Sequence, residues 1–272
     1  MKLHRLLILA SGLLLTTALA AQDYPLVSAF NDNYVITGIT TRDGKTIHPD
    51  VRFQASLLVR PFRLSEKWRL AFAFTMRSVW DAYDKSAPFR DNTYQPGLYF
   101  IRKSDSDSRL TLAFEHRSNG RPYFGNPLAA EGLEDYSRGM NYILTQWEKQ
   151  WGKSVLLLQG RIGVGCGVGD YRRHETWWSL DLFKYYLGFA SVGYRYEGDR
   201  AYAGIDITPV WNKSVANVTC TGGYSFGEKF PSLFVQFHYG FDSAMCDCVA
   251  DGIPPASIRI GVQLQGNMRG LL

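Results

Sequence analysis

The sequence predicts an all-β protein, a transmembrane antiparallel β-barrel of about twelve strands. Three observations carry that expectation. Apolar and polar residues alternate with a period of two along most of the chain, and a helical period is almost nowhere to be found. Short polar turns separate the alternating segments. The amino terminus, MKLHRLLILASGLLLTTALA, has the form of a secretory signal peptide: Lys2 and Arg5, then an apolar stretch from Leu6 to Leu15, then small residues at Ala18-Leu19-Ala20. The chain thus divides into a leader over 1–20 and one barrel domain over 21–272.

The strands follow in order. NYVITGITT (33–41) alternates Val35 and Thr37 against Ile36 and Gly38, and RDGK closes it with a turn. VRFQASLLV (51–59) sets Arg52, Gln54 and Ser56 against Val51, Phe53, Ala55 and Leu57. After RLSEK comes WRLAFAFTM (68–76), with Leu70, Phe72 and Phe74 two apart; GLYFIRK (97–103) is the shortest run and ends at KSDSDS. RLTLAFEH (109–116) and NYILTQWEK (141–149) are antiparallel candidates on either side of a long connection. KSVLLLQGRIG (153–163) is β-branched and leucine-rich, and FKYYLGFASVGYRY (183–196) is aromatic throughout. AYAGIDITPV (201–210) follows the turn EGDR, VANVTCTGGYSF (215–226) runs into FGEKFP, and SLFVQFHYGF (232–241) and SIRIGVQLQ (257–265) complete the set. The longer connections are 121–137, 164–180 and 242–256.

Alternation alone does not say which face points inward. A soluble barrel or sandwich buries its apolar face and wears a polar coat. Export, an aromatic content of 14% and long strands favour the reverse arrangement, with a wet interior and an apolar coat against lipid. After the leader no apolar run approaches the roughly 20 residues of a membrane helix, which leaves strands as the way across. The formal charge of +5 includes Lys2 and Arg5 and shows no basic cluster, which argues against nucleic acid. Of the four cysteines, Cys246-Asp247-Cys248 lacks the spacing of a zinc or redox motif, and Cys166 and Cys220 stand apart.

Within RLTLAFEH and its continuation, FEHRSNG (114–120) carries chemistry on an unexpected face. Two-residue spacing puts His116 and Ser118 on the same side as Leu112 and Phe114, while Thr111, Ala113, Glu115 and Arg117 point the other way. On a lipid-facing surface a hydroxyl and an imidazole are costly without a task. Serine attacking a carbonyl, with histidine taking and returning the proton, is such a task. The imidazole then needs an orienting partner. An aspartate would set a charge against lipid, whereas a neutral asparagine holds the tautomer at lower desolvation cost. Asn141 opens the next strand and is placed to be that partner.

FEHRSNGR, followed by SRGMN (137–141), resembles the active-site signature of the outer-membrane phospholipase A family, which runs aromatic-Glu-His-x-Ser-Asn-Gly-Arg and then Ser-Arg-x-x-Asn. KSAPFRDNTYQPGLYF (85–100), NDNYVITG (31–38) and RFQASL (52–57) are similar to the family in position and character. The resemblance implies a calcium-dependent hydrolase of glycerophospholipid acyl esters in the outer membrane of a Gram-negative bacterium. It implies His116 as base, Ser118 as nucleophile, Asn141 as orienting amide and the Gly120 backbone N–H as oxyanion donor. It implies a calcium ion held by the Ser86 side chain and the carbonyls of Arg121 and Ser137, and a reversible homodimer. The sequence departs from the family in three places. The 121–137 segment is longer, and its Glu131, Glu134 and Asp135 offer oxygen ligands of their own. Met76 stands where the family has a membrane-embedded glutamine that ties the dimer. NMRGLL at the end lacks a terminal aromatic.

Two other functions compete. Lipid A deacylases share a His-x-Ser-Asn element but use an acidic third member and smaller barrels. A non-enzymatic channel or structural barrel is the reading from a different class. GVGCGVG (163–169) has no helix after it and reads as glycines at a strand end rather than a phosphate loop. His174-Glu175 lacks the second histidine of a zinc helix, and His48 and His238 carry no assignment.

Overall fold

In the computed structural model, which describes residues 26–42, 46–104, 107–119, 139–164, 183–227, 230–242 and 253–264, twelve strands close into an antiparallel barrel. They are β2 (Asn33–Arg42), β3 (Thr46–Arg63), β4 (Trp68–Trp80), β5 (Phe89–Lys103), β6 (Ser108–Ser118), β7 (Gly139–Trp151), β8 (Ser154–Gly163), β9 (Ala190–Glu197), β10 (Ala201–Pro209), β11 (Ala216–Tyr224), β12 (Ser232–Tyr239) and β13 (Ala256–Leu264). Each pairs with the next in the chain, and β13 returns to β2 along a ladder from Ser257↔Thr40 to Leu264↔Asn33. A two-residue strand, β1 (Val27–Ser28), adds to β3 at Val59 and Leu58, below the end of β2. The three longest connections, after β6, β8 and β12, all leave from one rim, and the turns after β3, β5, β7, β9 and β11 close the other, as in an outer-membrane-type barrel.

Strand alternation sorts the two faces as the lipid-facing reading requires. Arg52, Gln54, Ser56, Thr75, Thr111 and Glu115 are buried in the lumen, whereas Leu57, Phe72, Phe74, Leu112 and Phe114 are exposed outside. The apolar coat continues round the wall through Ile143, Leu158, Val192, Ile207, Val235 and Ile260. Among the described residues no helix is long and apolar enough to cross a membrane.

The reading of 183–196 as one strand needs correction. Only Ala190–Glu197 pairs into the sheet, and Phe183–Leu187 forms a single π-helical turn, closed by the Gly188 N–H donating to the Phe183 carbonyl at 2.7 Å. Gly188 sits at φ 68°, where a Cβ would lie 2.2 Å from the Thr208 side chain. Asn212 and Asn217 donate to the carbonyls of Tyr185 and Tyr186 and hold the turn in place. Phe183 and Leu187 are thereby buried against Met140, Tyr142 and Leu144. In the same cluster Phe30 packs edge-on against Tyr99, and Asn31 bonds Ser56 and Thr75.

One ion cluster crosslinks the closing seam. Asp50, 0% exposed, accepts from Arg259 at 2.7 and 2.8 Å and from Thr40 at 3.0 Å, with Arg52 at 3.4 Å and Arg90 at 3.7 Å. Gly38 lies between these side chains on β2, and a Cβ there would meet the Ile258 carbonyl at 2.0 Å and Arg259 Cγ at 2.9 Å. Removing the carboxylate would strand Arg259 as an uncompensated buried cation. Asp50→Asn is therefore expected to lose about 3–5 kcal/mol of stability, read as a lower denaturant midpoint at unchanged slope in detergent micelles. A midpoint within experimental error of the parent would show the cluster to be dispensable.

Candidate active site

Four neighbouring strands build the outer surface around FEHRSNG, and each changes character upward. On β6 the outward residues run Leu110, Leu112, Phe114, then His116 and Ser118. On β7, read toward the same rim, they run Trp147, Thr145, Ile143, then Asn141 and Gly139. On β4 they run Leu70, Phe72, Phe74, then Met76 and Ser78, and on β5 Phe100, Leu98, Pro96, then Tyr94 and Asn92. Ser78 donates to Asn92 at 2.7 Å. The polar group of residues thus begins where the apolar coat ends.

The ladder places the pair. Register sets His116 opposite Asn141 and Ser118 opposite Gly139. His116 Nδ1 lies 2.9 Å from Asn141 Oδ1. An amide oxygen only accepts, so Nδ1 carries the proton and Nε2 is left as the basic nitrogen. Asn141 is 8% exposed although it sits on the outer face. Gly139 presents no side chain beside Ser118, and Tyr94 is its neighbour across β5. The β5–β6 ladder is interrupted between Tyr94↔Ser118 and Gly97↔Glu115, where Pro96 has no N–H to offer it.

The remaining expected residues are less close. Met76 pairs with Tyr94, which pairs with Ser118, so a thioether occupies the outer face two strands from Ser118. Ser86 belongs to the β4–β5 turn at the same rim, is exposed at φ 73°, and comes eight positions before Tyr94 in the chain. That turn is pinned by Trp80 Nε1 donating to the Ala87 carbonyl at 2.8 Å. Gly120, Arg121, Ser137, Glu131, Glu134 and Asp135 lie outside the described residues, as do the 1–20 leader, His174, Cys166, Cys246 and Cys248. Cys220 is a free thiol on the outer side of β11. His238 lies in the lumen, bonded to Thr219 at 2.9 Å and 3.3 Å from Asp242.

Sequence reasoning missed what stands behind the pair. Directly beside the His116–Asn141 rung, Glu115 pairs with Tyr142 on the luminal face. Tyr99 donates to Glu115, and Gln95 Nε2 reaches both Glu115 at 3.0 Å and the Tyr142 hydroxyl at 3.2 Å. Arg77 then links Gln95 at 3.3 Å to Gln54 at 2.6 Å. This network ties β3, β4, β5, β6 and β7 together behind the His116–Asn141 rung. Parity gives the face of Glu115, but its partners come from strands whose register is not local.

The phospholipase A1 family profile matches residues 22–162. No curated protein matches the sequence. Among solved structures the chain is similar to outer membrane phospholipase A from Escherichia coli, at 20% identity and a TM-score of 0.71, covering 89% of this chain and 99% of that one. The calcium-bound outer membrane phospholipase dimer of Salmonella typhi is similar at 19% identity and a TM-score of 0.70, covering 93% and 97%. An Escherichia coli active-site mutant with an asparagine replaced by alanine gives 19%, a TM-score of 0.71 and the same coverage. At such identities these structures attest the fold.

If the apolar coat ends at His116, arginine substitutions should report it. Leu112→Arg is expected to cost about 2–4 kcal/mol and Asn92→Arg at most about 1 kcal/mol, measured by denaturant unfolding in phospholipid vesicles. Equal costs would remove the site from the membrane boundary.

Proposed function

The chain belongs to the phospholipase A1 family, and on that premise we propose that it hydrolyses glycerophospholipid acyl esters in the outer membrane through Ser118, His116 and Asn141. The supporting observation is the 2.9 Å contact between His116 and Asn141 on the lipid-facing wall, with Ser118 next along the same face. A substrate held in a bilayer presents its esters at the boundary between tails and headgroups. A site on the outside of the barrel, where the apolar coat stops, meets them there. The leader over 1–20 supplies export.

Ser118 Oγ attacks the ester carbonyl while His116 Nε2 takes its proton. Asn141 holds the Nδ1–H tautomer and the ring plane without adding a charge beside lipid. Collapse of the tetrahedral intermediate expels the lysophospholipid alcohol, which receives the proton from His116. Water then attacks the acyl-serine with His116 as base, and fatty acid leaves. The Gly120 backbone N–H is assigned as an oxyanion donor by the family signature.

Among the described residues the outer face near Ser118 offers no cation for that oxyanion, because Arg77 and Arg117 both line the lumen. A hard divalent ion fits this gap, and the calcium-bound Salmonella typhi structure supports calcium. Among the described residues no group of three or more His, Cys, Asp or Glu side chains could hold a metal. The family signature assigns hydroxyl and carbonyl oxygen as the donor set: the exposed Ser86 hydroxyl, with the Arg121 and Ser137 carbonyls. Bound there, calcium supplies positive charge to the developing oxyanion. The Salmonella typhi dimer also supports a homodimer, in which Met76 gives apolar packing and no amide hydrogen bond.

Two experiments test this reading. Ser118→Ala is expected to fold with parent heat-modifiability on gels and to lose hydrolysis by roughly three orders of magnitude or more. Asn141→Ala is expected to keep on the order of one to ten per cent, the worth of one charge-assisted hydrogen bond. Release of fatty acid from phospholipid but not lipid A distinguishes the substrate class. Full activity in Ser118→Ala would remove the triad.

Across a calcium titration, hydrolysis and crosslinked dimer should rise together, and chelator should abolish both. Ser86→Ala should move the calcium midpoint upward by about ten-fold, the loss of one ligand. Full activity in chelator would refute the metal, and an unmoved midpoint would remove Ser86.

A further inference from the structure

The lumen behind the catalytic wall holds guanidinium donors that find no acceptor. A cavity of about 430 Å³ lies inside the barrel, and Arg77, Arg117 and Arg161 enter it from β4, β6 and β8. Arg77 and Arg161 both lie within electrostatic range of Arg117, Glu115 and Tyr142. Glu115 is the carboxylate in their midst, and its oxygens are taken by Tyr99 and Gln95. Arg77 spends its N–H groups on Gln54 and Gln95, and Arg161 Nη2 serves Gln159 and Ser191 at 3.3 Å for the latter. Arg117 Nε and Arg161 Nη1 are shut off from solvent and meet no hydrogen-bond acceptor among the described residues.

Other carboxylates line the same cavity, and most have cations of their own. Asp242 lies 3.3 Å from His238 and within electrostatic range of Arg117 and Arg161, and Asp32 lies 3.6 Å from Arg195. Asp206 faces Arg195 and Arg161 from β10. None accepts a hydrogen bond from the orphaned Arg117 and Arg161 donors. Buried charged donors left without acceptors are expensive. We propose that the lumen between Arg117 and Arg161 binds a small tetrahedral oxyanion of the phosphate class.

The geometry favours that class. Arg117 stands opposite Met140 and Arg161 opposite Leu144 on the intervening β7, so their backbones are offset by roughly 13 Å along the strands and roughly 10 Å across them, and two long inward side chains within electrostatic range of each other can share one small anion between them. Planar N–H forks match oxyanion edges, and the Phe183–Leu187 turn covers part of the cavity with apolar surface that strengthens the attraction. The site is on the opposite face of the wall from Ser118 and stands whether or not the chain is a hydrolase.

The test uses the full detergent-folded barrel, titrated with inorganic phosphate by calorimetry and by thermal melting, against chloride at equal ionic strength. The expected result is one saturable site per barrel and a melting temperature that rises with phosphate alone. Arg117→Gln and Arg161→Gln should each weaken binding at least ten-fold. Arg117→Lys and Arg161→Lys keep the charge, should fold where the glutamine variants do not, and should still bind several-fold more weakly through loss of the fork. Absence of a saturable site in the parent, or unchanged binding in these variants, would overturn the proposal. Stoichiometry well above one with no melting shift would identify only adventitious surface ions and overturn it equally.

Discussion

In hydrocarbon no water stands by to satisfy a backbone N–H or C=O, so the sheet may not have an open edge within the membrane. The β13–β2 ladder meets that constraint, and everything else in the barrel follows from it. Once the edges are joined, every strand has two solvents, lipid outside and a polar lumen inside, and successive side chains must be assigned to them in turn. The Asp50–Arg259 pair shows how strongly the seam is fixed: a carboxylate from β3 and a guanidinium from β13 meet across β2, over Gly38, with neither reaching water. A one-residue slip of any strand would throw such groups into lipid.

That period of two was legible in the sequence, and with it the faces of Leu112, Phe114, His116 and Ser118. Opposite faces for Arg52, Gln54 and Glu115 came from the same parity. The His116–Asn141 contact was also legible, because β6 and β7 are consecutive and an antiparallel neighbour is the default for consecutive strands. Where the reading failed, the cause was a residue pattern with two meanings. FKYYLGF alternates well enough for a strand, yet Phe183 and Leu187 are also four apart, and Gly188 at positive φ ends a turn. The asparagines that settle it, Asn212 and Asn217, lie about 25 to 35 positions away along the chain and carry no local signature.

The luminal network behind the site was hidden for a related reason. Glu115 announces its face, but Tyr99, Gln95 and Arg77 reach it only after the registers of β5 and β4 are fixed. Nor does a sequence distinguish His238, which hydrogen-bonds Thr219 in the lumen, from a histidine in a loop. Register is a property of the whole closed sheet, and the side-chain partners that depend on it cannot be read one strand at a time.

The proposed active site, on the outside of a barrel, faces a particular mechanical problem. In a cleft, a catalytic histidine is braced by packed residues on several sides. Here lipid lies in front of His116 and Ser118, so bracing must come from within the wall or from behind it. Within the wall, the β6–β7 ladder brings His116 and Asn141 side by side. Behind it, Glu115 and Tyr142 form the adjacent rung and are tied through Gln95 and Arg77 to Gln54 on β3, four strands from β7. The polar groups of this network sit on the wet face, where Glu115, Tyr142, Gln95, Arg77 and Gln54 are bonded to one another, and the lipid face around His116 is mostly apolar below it. A neutral asparagine in place of an aspartate follows the same logic: the lumen can hold charge against charge, and the lipid face cannot.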